Sequence, residues 1–60
     1  MDNKKLWALH NPTNGHWLYI WASSFDKALA AARKIEPGYN GGQVLDEKYW
    51  SLIIADIETD

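Results

Sequence analysis

The fold is decided by one stretch of the sequence, LWALHNPTNGHWLYIWA, which spans residues 6–22. Its two ends, Leu6 to His10 and His16 to Ala22, are rich in the aromatic and aliphatic side chains that favour β-strands. The NPTNG segment between them has strong turn chemistry. Pro12 presets the backbone of the turn, and the Asn-Gly pair at its end tolerates positive φ. The stretch therefore predicts a β-hairpin.

The length of the loop predicts the register of this hairpin. A four-residue loop, Pro12 to Gly15, places Asn11 opposite His16. The pairs on one face are then aliphatic with a single ring: Leu9 with Leu18, and Trp7 with Ile20. Each pair on the other face contains an aromatic ring: His10 with Trp17, Ala8 with Tyr19, and Leu6 with Trp21. We call these the aliphatic face and the aromatic face, and both of them are apolar.

A helix is predicted from about Phe25 to Glu36. Ser23 and Ser24 mark its start, with Asp26 completing a weak capping box, and Pro37 ends it. The apolar residues follow the spacing of one helical face: Phe25, Ala28, Leu29, Ala32 and Ile35. This face is expected to pack on the sheet, where the small alanines allow a close approach.

The C-terminal third of the chain predicts a flexible loop, residues 39–42, and then two further strands. One is short, Gln43 to Leu45, and the other runs from Tyr49 to Ile57. The latter also fits a helical template, with Asp46 as N-cap, but its Tyr, Trp and three Ile favour a strand. As a strand it places alternate residues on opposite sides: Trp50, Leu52 and Ile54 on one, and Tyr49, Ile53 and Ile57 on the other.

The order of these elements, β-β-α-β(β), predicts an α+β fold class. We expect a small, mostly antiparallel sheet of three or four strands, with one helix packed on one face. Residues 1–60 are expected to form a single domain, because a chain of 60 residues has room for only one. One helix covers only one face, which leaves the other open. We favour the aromatic face as the open one, the alternative being that it packs on the helix; a second helix across the sheet would cover both faces.

Composition excludes several classes of function. With no cysteine, the chain can form neither disulfides nor thiolate zinc sites. His10 and His16 lie on opposite faces in the predicted register, so we expect no metal site and no cofactor. The net charge of −2 offers no electrostatic tether to nucleic acid or to a membrane. The longest apolar run, Leu52 to Ala55, is too short to span a bilayer, and a cytoplasmic location is the expectation.

These observations favour a binding protein over an enzyme, since neither a nucleophile with its base nor a set of metal ligands is visible. We expect a small protein-binding module, with its size typical of a regulator or inhibitor from a phage or other mobile element. Its partner is another protein or a second copy of itself in a homodimer. The expected partner-binding residues are those of the aromatic face: Trp17, Tyr19, Trp21, His10 and Leu6.

The alternative function is single-stranded nucleic-acid binding, in which bases stack on aromatic rings of the sheet. The rings have suitable chemistry, but phosphate binding requires positive charge, and this chain is acidic overall. We therefore rank this function second.

Overall fold

The computed structural model describes residues 3–59, and within this range it contains one α-helix and a four-stranded mixed sheet. In chain order the elements are β1 (Lys5–Asn11), β2 (His16–Ala22), α1 (Phe25–Ile35), β3 (Gly41–Val44), a short 3₁₀ turn (Glu47–Tyr49) and β4 (Ile57–Glu58). The strands lie in the order β3-β1-β2-β4. The predicted α+β class and the predicted element order are confirmed. No helix within residues 3–59 is long and apolar enough to cross a membrane.

The hairpin of β1 and β2 has the predicted register in every pair, from Leu6 with Trp21 to Asn11 with His16. Its turn is closed by the Gly15 N–H, which donates to the Asn11 carbonyl at 2.8 Å. Gly15 adopts a φ of 77°, which is the conformation that favours glycine. The local turn chemistry thus determines how the two strands face each other.

Helix α1 starts at the second of the two predicted serines. Ser24 is the N-cap, and its Oγ accepts a hydrogen bond from the Lys27 N–H at 3.3 Å. The capping box predicted from Ser23 and Asp26 is wrong, because the residue three positions after the actual cap is a lysine. The helix ends one residue earlier than predicted, ahead of Pro37.

The main core lies between α1 and the aliphatic face of the hairpin, as predicted. Its buried side chains come from both layers and from the loop after the helix: Leu9, Ile20, Ala22, Ala28, Ala32 and Tyr39. At one end Trp7 packs against Phe25 with ring centroids 5.9 Å apart. Tyr39 is the member that the sequence did not predict; the Nε of Arg33 donates to its carbonyl at 2.8 Å.

Strand β3 begins two residues earlier than predicted, inside the expected glycine loop. Gly42 pairs with Leu9 on the neighbouring strand. A Cβ at Gly42 would collide with the carbonyl oxygen of Ala8, so a glycine is needed for β3 to approach β1 closely. The glycine here serves a strand pairing and not a flexible connection.

The predicted strand from Tyr49 to Ile57 is wrong over most of its length. Residues 45–56, which we call the crossing segment, pass from β3 at one edge of the sheet to β4 at the other. They run over the aromatic face, where Trp50 contacts Trp21. The parallel ladder with β2 joins Ile57 to Ile20, directly after the hydrogen bond from the Asp56 N–H to the Tyr19 carbonyl. A segment that crosses a face cannot form a ladder until it reaches an edge.

The crossing segment keeps the alternation expected of a strand even where it is unpaired. Ile53 and Ile57 are partly buried, whereas Leu52 and Ile54, the two neighbours of Ile53 in the chain, are exposed. The predicted division into two sides therefore holds for these four residues. Because α1 lies on one face of the sheet and this segment on the other, the prediction of one fully open face is wrong.

Candidate functional site

The crossing segment leaves a groove on the aromatic face, with a volume of about 310 Å³. The sheet supplies the floor of the groove: Ala8, Trp17, Tyr19 and Gln43. The crossing segment supplies its wall: Leu45, Tyr49 and Ile53. Alternation along β1, β2 and β3 brings the four floor residues to the same face. The groove combines rings with aliphatic side chains, and its only side-chain amide is that of Gln43.

One end of the wall is held in place by Trp50. Its indole Nε1 donates to the Leu45 carbonyl at 2.9 Å, and its ring lies edge-on to the ring of Trp21, with centroids 5.0 Å apart. Leu45 in turn donates its N–H to the Leu6 carbonyl at 2.9 Å. These contacts fix the crossing segment to the sheet where it leaves β3.

The other end of the wall is held by a pair of hydrogen bonds between Asp56 and Tyr19. The Asp56 N–H donates to the Tyr19 carbonyl at 2.7 Å, and the Asp56 carboxylate accepts from the Tyr19 N–H at 2.9 Å. The crossing segment is therefore attached on both sides of the groove. This arrangement gives the site a preformed shape, as is usual for binding sites.

The structure brings together three of the five predicted partner-binding residues. Trp17 and Tyr19 line the groove, and Trp17 is 50% exposed. The imidazole ring of His10 stacks on Trp17 at 4.5 Å, with 28° between the two planes. A half-exposed indole supported by a second ring offers a flat apolar surface for a partner.

Of the other two predicted residues, Leu6 is corrected by the structure, and Trp21 stays a prediction. Leu6 is 0% exposed and belongs to the interior, so it cannot contact a partner. Trp21 is partly buried beneath Trp50. These two residues form a pair at the end of the aromatic face that the crossing segment contacts through Leu45 and Trp50.

The sequence analysis missed the part of the site that the crossing segment supplies. Tyr49 and Ile53 line the groove, and Leu52 and Ile54 project from the outer side of the same segment. Leu52 is 76% exposed and Ile54 is 93% exposed, and together with the half-exposed Trp17 and Tyr49 they make this side of the sheet rich in exposed apolar surface. The signal in the sequence was the alternation itself, which separated these two residues from Ile53.

The groove carries no charged side chain among its lining residues. Beside it, the Nζ of Lys48 lies 5.2 Å from the ring centroid of Tyr49, which lines the groove. No group of three His, Asp or Glu side chains within residues 3–59 is arranged to hold a metal ion. The groove is therefore suited to apolar and aromatic groups.

The groups with shifted pKa values lie on the helix side of the sheet and not in the groove. The pKa of Glu36 is lowered, chiefly by the hydrogen bond that its carboxylate accepts from Asn14. The pKa of the Tyr39 hydroxyl is raised, chiefly because burial disfavours the phenolate. Neither group faces the residues that line the groove, so these shifts offer the groove no acid or base.

Comparison of the chain with models of protein families, with curated proteins and with solved structures gave no significant match.

Proposed function

We propose that this protein is a non-enzymatic binding module that docks a protein partner on the groove side of its sheet. The observation that carries the proposal is the groove with its exposed Trp17 and its neighbours Leu52 and Ile54. Exposed apolar surface that is contiguous over a few hundred Å² usually marks an interaction site. Trp and Tyr are also the side chains most often found at the energetic centre of protein interfaces.

The chemistry of the groove supports a protein partner more than a nucleic acid. Nucleic-acid binding depends on cations placed to meet phosphates. Lys4 is engaged by Glu58 at 2.8 Å, and Arg33 donates to a carbonyl in the loop behind the sheet. Single-stranded nucleic acid thus remains the second candidate, favoured only by the stack of His10 on Trp17. In its more specific form, the proposal is that the protein is a regulator or inhibitor that comes from a phage or other mobile element and acts in the cytoplasm.

The proposal is tested by affinity capture from a lysate of the cell that produces the protein. Trp17→Ala and Tyr49→Ala should each reduce capture of a specific protein by about tenfold or more. Ile35→Ala is the matched control, because Ile35 is 54% exposed but lies at the end of α1 on the other side of the sheet. Its capture should equal that of the wild type.

Fluorescence anisotropy with single-stranded oligonucleotides at physiological salt decides between the two candidates. We expect no binding below about 100 µM, given the net charge of −2. Submicromolar binding of an oligonucleotide that is lost in Trp17→Ala would favour nucleic acid over a protein as the partner. Equal capture of a protein by wild type and Trp17→Ala would contradict the groove as the docking surface.

A further inference from the structure

We infer that the partner that fills the groove is a second copy of this chain. In this dimer each copy inserts Leu52 and Ile54 into the groove of the other. The inference rests on the proposed function of the groove and names its occupant. It follows from three properties of the surface, which are its shape, its charge and its area.

The shape of the surface is self-complementary. Ile53 lines the groove, and its two neighbours in the chain, Leu52 and Ile54, are 76% and 93% exposed beside it. One surface thus carries both a cavity lined by aromatic rings and two protruding aliphatic side chains. A two-fold dimer needs this combination, because each contact that one copy makes is made again in reverse by the other.

The charge of the surface allows two copies to approach each other. The groove residues and the two protruding side chains are all uncharged. A patch with one sign of charge would repel its own copy, and like charges brought together at an interface oppose binding. The charged residues of the crossing segment, Asp46, Glu47, Lys48 and Asp56, are exposed but do not line the groove, so the groove itself brings no like charges together.

The area of the surface is sufficient for a weak dimer. Trp17 and Tyr49 are 50% and 43% exposed, and Leu52 and Ile54 are 76% and 93% exposed. Together they offer on the order of 350 Å² of apolar surface per copy. Two copies would bury on the order of 700 Å² of it, or roughly 1,100 Å² in all if about 65% of the interface is apolar. Specific interfaces begin near about 1,200 Å², so we expect a dissociation constant of the order of 100 µM.

Sedimentation equilibrium of the purified chain from about 10 µM to about 2 mM tests the dimer. Ile54→Ser and Leu52→Ser should each raise the dissociation constant by about tenfold or more, without unfolding the chain, because both side chains are exposed. Ile35→Ser removes an aliphatic side chain that is 54% exposed on the other side of the sheet, and it should change the dissociation constant less than about twofold.

Disulfide cross-linking tests whether residue 54 enters the groove of the second copy. Because the chain contains no cysteine, each introduced cysteine is the only thiol in its variant. The Ile54→Cys variant is mixed with the Gln43→Cys variant in a glutathione redox buffer. Insertion of residue 54 into the partner's groove brings it near residue 43, so the mixed disulfide should form about ten times faster than in a control mixture of Ile35→Cys with Gln43→Cys. Equal rates in the two mixtures would overturn the inserted geometry.

Other results of the sedimentation and capture experiments would overturn either the dimer or the groove. A chain that is monomeric at about 2 mM, or a dimer that Ile54→Ser and Ile35→Ser weaken equally, would overturn the inference. The proposed function fails separately, when capture of a protein partner does not depend on Trp17. A monomer whose capture of another protein does depend on Trp17 would reject the second copy and keep the groove.

Discussion

At the scale of single residues, Glu36 connects the hairpin turn to the end of the helix. Its carboxylate accepts hydrogen bonds from the side-chain amides of Asn14 at 3.0 Å and Asn11 at 3.3 Å, and it lies 3.3 Å from Nδ1 of His16. Gly38 is fitted to the same cluster, since a Cβ at this position would meet the side chain of Asn11. Four polar residues thus join two elements that are adjacent in space but distant in sequence.

This cluster predicts a specific dependence of stability on pH. The pKa of Glu36 is lowered in the folded chain, mainly by the Asn14 hydrogen bond. A carboxyl with a lowered folded-state pKa stabilises the fold above its unfolded-state pKa, which is about 4.3 for glutamate, and this stabilisation is lost as the pH falls through the folded value. We therefore expect the free energy of unfolding, measured in urea, to fall less between pH 6 and pH 3 in Glu36→Gln than in the wild type.

The control for this experiment is Glu47→Gln, which removes an exposed carboxylate on the other side of the sheet. This variant should keep the pH dependence of the wild type. If Glu36→Gln also keeps it, the carboxylate of Glu36 does not connect the turn to the helix in solution.

At the scale of elements, the hairpin and the crossing segment differ in how far their sequences determine them. Turn chemistry and alternation are local signals, and they correctly predicted every pair between β1 and β2. The crossing segment depends on distant partners, namely the ring of Trp21 for Trp50 and the backbone of Tyr19 for Asp56. No local pattern contains these contacts, so β-propensity alone predicted a full strand where the structure has a crossing.

The same difference explains which part of the candidate site could be predicted. Trp17, Tyr19 and His10 share a face because β-strands alternate, and this placement needs no knowledge of the rest of the chain. The burial of Leu6 and the exposure of Ile54 both follow from the path of the crossing segment. The floor of the groove on β1 and β2 could therefore be predicted from the sequence, whereas the wall formed by the crossing segment could not.

Trp50 offers a test of how the crossing segment is held. Replacing a partly buried indole by alanine should destabilise the fold by about 2 to 3 kcal/mol, because the contact with Trp21 and the hydrogen bond to the Leu45 carbonyl are both lost. Trp50→Phe keeps a ring and loses only the hydrogen bond, which should cost about 1 kcal/mol. Chemical denaturation of the two variants and the wild type measures both values.

Amide hydrogen exchange identifies where Trp50→Ala acts. The N–H groups of Asp56 and Thr59 donate to the Tyr19 and Trp21 carbonyls, so their protection should fall when the crossing segment loosens. The Gly15 N–H lies in the hairpin turn and should stay protected until the whole chain unfolds. A uniform loss of protection at these three sites would mean that the segment is not an independent unit.

At the scale of the whole molecule, two crossings on opposite faces of the sheet bury its interior. Strand β1 is antiparallel to both β2 and β3, so β2 and β3 run in the same direction, as does β4. The connection from β2 to β3 crosses one face of the sheet through α1, and the connection from β3 to β4 crosses the other face in the opposite direction through residues 45–56. The two connections between parallel strands therefore have the same hand, in line with the general preference for one hand of crossover. Without any cysteine, this double cover provides the packing that a small domain needs.

The two covered faces should nevertheless respond differently to mutation. Ile20 is 0% exposed between the sheet and α1, and Ile20→Ala should cost about 2 to 5 kcal/mol. A chain of 60 residues has a total stability of about 3 to 9 kcal/mol, so this substitution should remove a large share of the free energy of unfolding. Trp17 is 50% exposed in the floor of the groove, so Trp17→Ala should lower the free energy of unfolding by only about 1 kcal/mol.

Urea denaturation of both variants checks this contrast, provided that the concentration keeps the wild type monomeric. At higher concentrations association would raise the apparent stability of the wild type and would make Trp17→Ala look more damaging than it is. Repeating the measurement well above the dissociation constant separates the two effects, because the deficit of Trp17→Ala should then grow while that of Ile20→Ala should not. If Trp17→Ala unfolds the dilute chain as severely as Ile20→Ala, then the indole of Trp17 supports the fold itself, and the groove that it lines is part of the core and not a surface for a partner.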